Sequence, residues 1–309
     1  MNRSRGRGRA AALLVLAGGY AGAGSGLAAQ DTFLTRCGAA VHDDEGTGWV
    51  SVPQGQIFCP LAADPLAAHS HVSYRRGDFA IQSDAAPGEQ SNIAGVGLGG
   101  SFPLFRFAAR RRGNGIQVDI AASVFGQFNL DTHRLDLITT DYLVGIPVTM
   151  RYGGFSTRFR VYHQNSHLGD EAVLSGQPPG RTDRSFESVE ALLSQELGPL
   201  RIYGGGEAFI RREPAELGHR LVHAGGELRP VLFGGGRVLL AFDYKLVDDG
   251  SWSYGWNARA GLELARVPTP GHPPRILTVV FDWYEGAAPY GQFYRDGIRY
   301  FGVGIHLSG

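Results

Sequence analysis

The sequence predicts an all-β chain: an antiparallel, up-and-down transmembrane β-barrel of about 12 strands behind a short irregular N-terminal segment. Three observations predict it. Apolar and polar residues alternate in period two, segment after segment, from about residue 69 onward, which is the strand signal. Glycine is abundant, at 46 residues, and aromatics are plentiful, as strands joined by tight turns require. The longer connections fall on alternate links, the asymmetry expected between the two ends of an outer-membrane barrel.

Residues 1–29 read as a secretory signal peptide. Arg3, Arg5, Arg7 and Arg9 form a positive n-region, Ala10–Ala17 a short apolar core, and Gly26–Ala29 the small residues for a cut near Ala29. The core is too short to span a bilayer, and no later apolar run approaches the roughly 20 residues of a membrane helix. Such a leader directs the chain into the Gram-negative envelope, here the outer membrane. Residues 30–68 carry Pro53, Pro60 and Pro65 and read as an irregular periplasmic segment. Cys37 and Cys59 are the two cysteines. In an oxidising periplasm they could close one disulfide loop, worth about 3 kcal/mol, or stay as separate thiols. They cannot alone supply the four ligands of structural zinc. Lys plus Arg equals Asp plus Glu, 29 each, so no basic excess points to nucleic acid.

Residues 69–309 make the barrel. Strands are expected over 69–79, 92–105, 115–127, 138–152, 155–166, 187–197, 200–210, 219–229, 236–247, 252–265, 275–285 and 297–308. In the segment 237–247, Val238, Leu240, Phe242, Tyr244 and Leu246 share one face, with Arg237, Asp243 and Lys245 opposite. In 254–264, Tyr254, Trp256, Ala258, Ala260, Leu262 and Leu264 oppose Asn257, Arg259 and Glu263. A soluble sandwich alternates in the same way. Two details favour the membrane: the polar faces carry few lysines, and Tyr142, Tyr152, Phe155, Trp252, Tyr254, Trp256, Trp283 and Tyr284 gather at strand ends, as in aromatic girdles. Short turns at Gly153-Gly154 and Gly198-Pro199 follow even strands. The loops 80–91, 128–137, 167–186 and 286–296 follow odd ones, and the connection 266–274 is longer than that rule prefers.

Four stretches carry a resemblance: FCPLAADP (58–65), FNLDTHRLDLITTDYLVGIPVTMRYG (128–153), VYHQNSHLGDE (161–171) and GQFYRDGIRYFGVGIHL (291–307). They resemble the bacterial domain-of-unknown-function family numbered 1207. The likeness implies an outer-membrane-type barrel and implies no activity. A weaker likeness, from one short motif and the strand count, is to outer-membrane phospholipase A, a twelve-stranded barrel with a lipid-facing His-x-Ser pair.

The chemistry candidates lie in and after the strand 155–166. His163 and Asn165 continue its apolar, lipid-facing side. Ser156, Arg158, Arg160, Tyr162, Gln164 and Ser166 point into the lumen. At ~3.3 Å per residue and ~40° tilt, His163 stands about 20 Å above the strand's start, near the outer lipid interface. Glu187, on the next strand, shares parity with Val189 and could face His163. A His held by an acid near an ester is the layout of acyl hydrolysis. The phospholipase likeness wants Ser two residues after His, where this chain has Asn165. Ser166 would serve only if a bulge re-aimed it. Catalytic candidates are therefore His163, Asn165, Ser166 and Glu187, against the plainer reading of a polar strand end among headgroups. Asp170 and Glu171 open a loop and could bind Ca²⁺ through oxygen, or be solvated; no other cofactor is expected. Gly95-Val96-Gly97-Leu98-Gly99-Gly100 matches a nucleotide-loop pattern, yet extended sequence follows where a helix is needed. Alternating charges on the inward faces, among them Asp119, Arg158, Glu190, Arg201, Glu227, Asp243 and Arg259, suggest either a self-paired network or a narrow channel.

Three functions follow as expectations. The first is an integral outer-membrane barrel of structural or narrow-channel role, with membrane lipid and lipopolysaccharide as partners. The second is an acyl hydrolase acting on outer-leaflet lipid through His163. The third is a soluble periplasmic β-protein.

Overall fold

The computed structural model describes residues 47–79, 90–109, 113–170, 184–231, 237–248, 252–269 and 272–308. The expected signal peptide, Cys37 and Glu171 lie outside the described residues.

Twelve strands close into a barrel: β2 (Ser70–Asp78), β3 (Ser91–Ala108), β4 (Gly115–Asn129), β5 (Leu137–Tyr152), β6 (Phe155–Leu168), β7 (Arg184–Leu197), β8 (Leu200–Glu213), β9 (Arg220–Leu228), β10 (Arg237–Val247), β11 (Ser253–Thr269), β12 (His272–Ala287) and β13 (Gly297–Ser308). Each pairs antiparallel with its sequence neighbour, and β13 pairs with β2 to complete the ring. Closure pairs every strand of the ring on both sides, the arrangement by which a sheet crosses a bilayer. An unexpected strand, β1 (Gly48–Ser51), pairs with Phe105–Ala108 of β3. The short β2 covers β3 only from Ser91 to Gly97, and β1 takes part of the edge left below it. Between them β3 carries Pro103, which has no N–H to give, and its register with β4 shifts between Pro103 and Phe105.

The tight turns stand where expected. Gly153 and Gly198 hold φ of +61° and +62°, a conformation that costs glycine little. The connection expected over 266–274 is mostly strand: β11 runs to Thr269 and β12 begins at His272, with register shifts near Ala265 and Thr269. These irregularities let the ladder continue past sequence that reads as a loop.

The alternation sorts the side chains. Leu240 and Phe242 face outward, 45% and 46% exposed, whereas Asp243 is 2% exposed. Outward aromatics stack across strands: Phe242 on Trp256 at 6.0 Å and Trp256 on Trp283 at 6.5 Å. Tyr284, expected in the girdle, points into the lumen and is buried. It follows the outward Trp283, and strand parity sends it the other way. Inward glycines make room for lumen side chains. A Cβ on Gly97 would lie 2.3 Å from His71 Cε1, and one on Gly225 would lie 2.3 Å from the Tyr203 hydroxyl.

The stretch expected as a periplasmic segment is, over residues 54–67, a lumen element. Ile57, Cys59 and Ala63 are fully buried, and Leu61 nearly so. This backbone has neither helix nor sheet partners, so the wall supplies its hydrogen bonds. Arg106 donates to the carbonyls of Gln54 and Gly55 at 3.0 and 2.8 Å. Arg201 donates to Cys59 O at 3.0 Å, Asn257 to Ala63 O at 2.9 Å, and Tyr290 to Pro65 O at 3.2 Å. Arg259 reaches Ala62 O. In the other direction, Ala62 N–H donates to Glu227 at 2.9 Å, and Lys245 pairs with Asp64 at 2.7 Å. The Phe58 ring lies under the guanidinium groups of Arg158 and Arg201, 5.0 and 4.7 Å from its centroid. Cys59, one half of the expected disulfide, is not a free thiol.

Candidate functional site

The lipid-side cluster of β6 and β7 forms as two strands in unbroken register. His163 pairs with Glu187 and Asn165 with Ser185. His163 Nδ1 lies 3.6 Å from Glu187 Oε1, with the side chains 41% and 37% exposed. Arg211, on β8, approaches the same oxygen at 3.9 Å. Asn165 Nδ2 contacts His167 Nε2 at 3.1 Å, and the His167 ring stands edge-on to Tyr142. So the structure brings together His163, Glu187 and Asn165 on the outer face.

It does not bring Ser166 to them. The register of β6 is regular with both neighbours through Ser166, and no bulge re-aims the side chain. Ser166 is fully buried and donates to Asp141 inside the barrel. Asp170 is exposed just after β6. A serine hydroxyl that does share the outer face is Ser185, opposite Asn165 and one diagonal step from His163. The expected strand began at Glu187 and so left Ser185 in a loop. The signal that could have found it is the alternation running back one further pair, Ser185-x-Glu187-x-Val189.

The lumen is a charge network. Glu190 receives Arg158 and Arg160, each at 2.7 Å, and Asp282 receives Arg259 at 2.6 Å. Arg151 pairs with Glu196. Glu227 receives Arg201 and Arg229, each at 3.3 Å, while Asp243 receives His223 at 2.6 Å and the Tyr203 hydroxyl at 2.7 Å. Burial works to raise the Asp64 pKa, but the Lys245 ammonium beside it holds the carboxyl below the usual range. Beside the network, His69, His71 and His306 cluster, with His69 Nε2 2.8 Å from His306 Nδ1. Their ligand atoms lie within 4.8 Å of one another. Burial, with help from Arg259, lowers the His69 pKa to about 3, so this ring is neutral at pH 7. The Arg259 guanidinium, 3.4 Å from His306 Nδ1, already brings a permanent positive charge to the place a metal cation would take. Of the three rings, His71 and His306 stack, while His69 is tilted against both.

An apolar belt outside, a charge network inside and a closed antiparallel ring define a β-barrel of the outer-membrane type. Residues 54–67 of the chain lie inside its lumen, bonded to the wall. The model of the family described as "Protein of unknown function (DUF1207)" matches residues 30–308, and the chain belongs to that family. No curated protein sequence matches it. Among solved structures it is similar to outer membrane phospholipase A from Escherichia coli, at 14% identity and TM-score 0.53, covering 79% of this chain and 93% of that one. An active-site mutant of the same protein at pH 6.1 gives 13% identity and TM-score 0.55 over the same shares. The Salmonella typhi outer membrane phospholipase dimer with bound calcium gives 14% identity and TM-score 0.50, covering 79% and 94%. At these identities the likeness shows the fold.

Proposed function

We propose that this chain is an integral protein of the bacterial outer membrane, exported by its N-terminal leader, whose barrel is closed at rest by its own residues 54–67. One observation carries the reading: the segment lies inside the wall and is held there by side chains from strands around the ring, from Arg106 on β3 to Asn257 on β11. Its contacts mix guanidinium–carbonyl bonds, one ion pair and a buried apolar stretch. A lumen occupied in this way serves a structural or gated role better than an open pore. The long loops face the exterior, and the belt takes membrane lipid and lipopolysaccharide as its neighbours.

Planar-bilayer recording tests this. Wild-type protein is expected to be silent, and the double variant Arg201→Ser with Arg259→Ser, which removes two of the segment's anchors, is expected to show stepwise openings. Steady wild-type conductance would refute the closed state.

A second reading has its own observation, the outward His163–Glu187 pair with Ser185 in register beside Asn165. The similar barrels are named as phospholipases, and this cluster stands where a lipid ester could reach it. In that reading His163 is the general base, Glu187 orients it, Ser185 is the nucleophile, and Asp170 with Glu171 gathers Ca²⁺ at the headgroup. Fatty-acid release from phospholipid in mixed micelles tests it, and it stands apart from the bilayer result.

A further inference from the structure

At the loop end of the lumen, above residue Leu66 of the inner segment, a cavity of about 760 Å³ including its open mouth lies between β6, β7, β8, β10 and the connection after β12. The two sides of the cavity differ. One side is an apolar wall in which Phe186, Phe209 and Leu217 pack together, flanked by Leu221 and Val247. The other presents donors without acceptors. The Tyr294 hydroxyl and the Nε and Nη1 groups of Arg184 have no hydrogen-bond partner, while the buried Gln164 side chain is turned to Asp141.

Arg184 is the principal feature. Its guanidinium lies between the rings of Phe186 and Tyr294, 5.2 Å from each centroid. The carboxylates that act on it through space are engaged elsewhere. Asp141 accepts from Gly291 N–H at 2.8 Å and from Ser166, and Glu207 accepts from Ser188 at 3.2 Å and from Tyr162. Lys245, the other cation on the wall, is held by Asp64 at 2.7 Å. A desolvated guanidinium with unpartnered N–H groups is unfavourable unless an anion answers it. The Tyr294 hydroxyl adds a neutral donor. Aromatic packing holds the guanidinium in the lining of a cavity whose other wall accepts hydrocarbon.

We infer that this cavity is a binding site for a small carboxylate with an apolar body, its carboxylate on Arg184 and Tyr294 and its hydrocarbon against Phe186, Phe209 and Leu217. The inference goes beyond the closed-barrel reading and does not depend on it, since a ligand at the loop end binds whether or not the lumen below conducts.

The test is calorimetric titration of the full-length barrel in detergent micelles with benzoate, benzyl alcohol and inorganic phosphate. Benzoate is expected to bind, and benzyl alcohol, which keeps the ring and lacks the charge, at least ten-fold more weakly. Phosphate, which keeps the charge and lacks the ring, is expected to be equally poor. Arg184→Gln is expected to weaken benzoate at least ten-fold while heat-modifiable gel migration stays that of a folded barrel. Leu217→Trp, which fills the apolar side from a connecting loop, is expected to abolish benzoate binding. No binding of benzoate overturns the inference, as does binding untouched by Arg184→Gln, or phosphate binding as well as benzoate. Should Arg184→Gln fail to fold, a folded Leu217→Trp protein that still binds benzoate overturns it alone.

Discussion

Replacing Leu240 with Arg puts a charge into the outer belt of β10. Leu240 is 45% exposed, and its cross-strand neighbours are Leu228 on β9 and Ala260 on β11. No carboxylate faces it from either pairing position. It stands three residues from Arg237 and seven from Val247. At ~3.3 Å per residue and ~40° tilt, that is about 8 Å from one strand end and about 18 Å from the other. The side chain therefore lies roughly a third of the way into a ~25 Å apolar band. Arg at the midplane of such a band costs ~2–4 kcal/mol and less toward the interfaces, so about 2–3 kcal/mol is expected here. That lowers the folded-to-unfolded ratio about 30-fold or more. Urea titration in phosphatidylcholine vesicles, followed by tryptophan fluorescence, reads it as a shift in midpoint. Asp243→Asn is the inward comparison. It weakens bonds from His223 and Tyr203 and is expected to cost about 1–3 kcal/mol equally in detergent and vesicles. A Leu240→Arg barrel as stable in vesicles as wild type would refute the assignment of this face to lipid.

Other outcomes follow from the same geometry. Arg201→Met removes the donor to Cys59 O and one partner of the buried Glu227; a loss of about 3 kcal/mol is expected, with faster proteolysis near residues 54–67 as the local readout. In the lipid-hydrolysis assay, His163→Ala and Ser185→Ala are expected to abolish release of fatty acid without changing heat-modifiable migration, while Ser166→Ala leaves release unchanged because that side chain faces inward. Activity surviving Ser185→Ala but lost in Ser166→Ala would refute the outer-face assignment. His69 has a folded pKa lowered from 6.5 to about 3 by burial and by Arg259. The unfolded chain therefore takes up this proton first as pH falls. Stability is expected to be full above about pH 6.5 and to decline between there and pH 3, by up to ~1.4 kcal/mol per pH unit from this group. His69→Asn should flatten that slope in urea titrations run at stepped pH; an unchanged slope counts against a buried neutral ring.

The sequence by itself determined which residues face lipid and which face the lumen. Period-two alternation is a local property, and once a strand exists, parity assigns every side chain to a face. That is why Leu240, Asp243 and Glu190 lie where the pattern puts them, and why Ser166 faces inward in a regular β6. Strand ends were less legible. Ser185 looked like loop because the run starts among polar residues, yet pairing with β6 and β8 drew it into the ladder; 266–274 looked like loop because of its prolines, yet Arg266, Val267 and Thr269 pair across the hairpin with β12. What only the tertiary structure decided is the fate of residues 54–67. Their local sequence, rich in proline and small residues, specifies no regular element. Their position depends on guanidinium groups from strands up to two hundred residues away, Arg259 at Ala62 among them. A ring of donors around a narrow lumen exists only after the barrel closes, and an irregular backbone can be buried only where such donors meet its carbonyls.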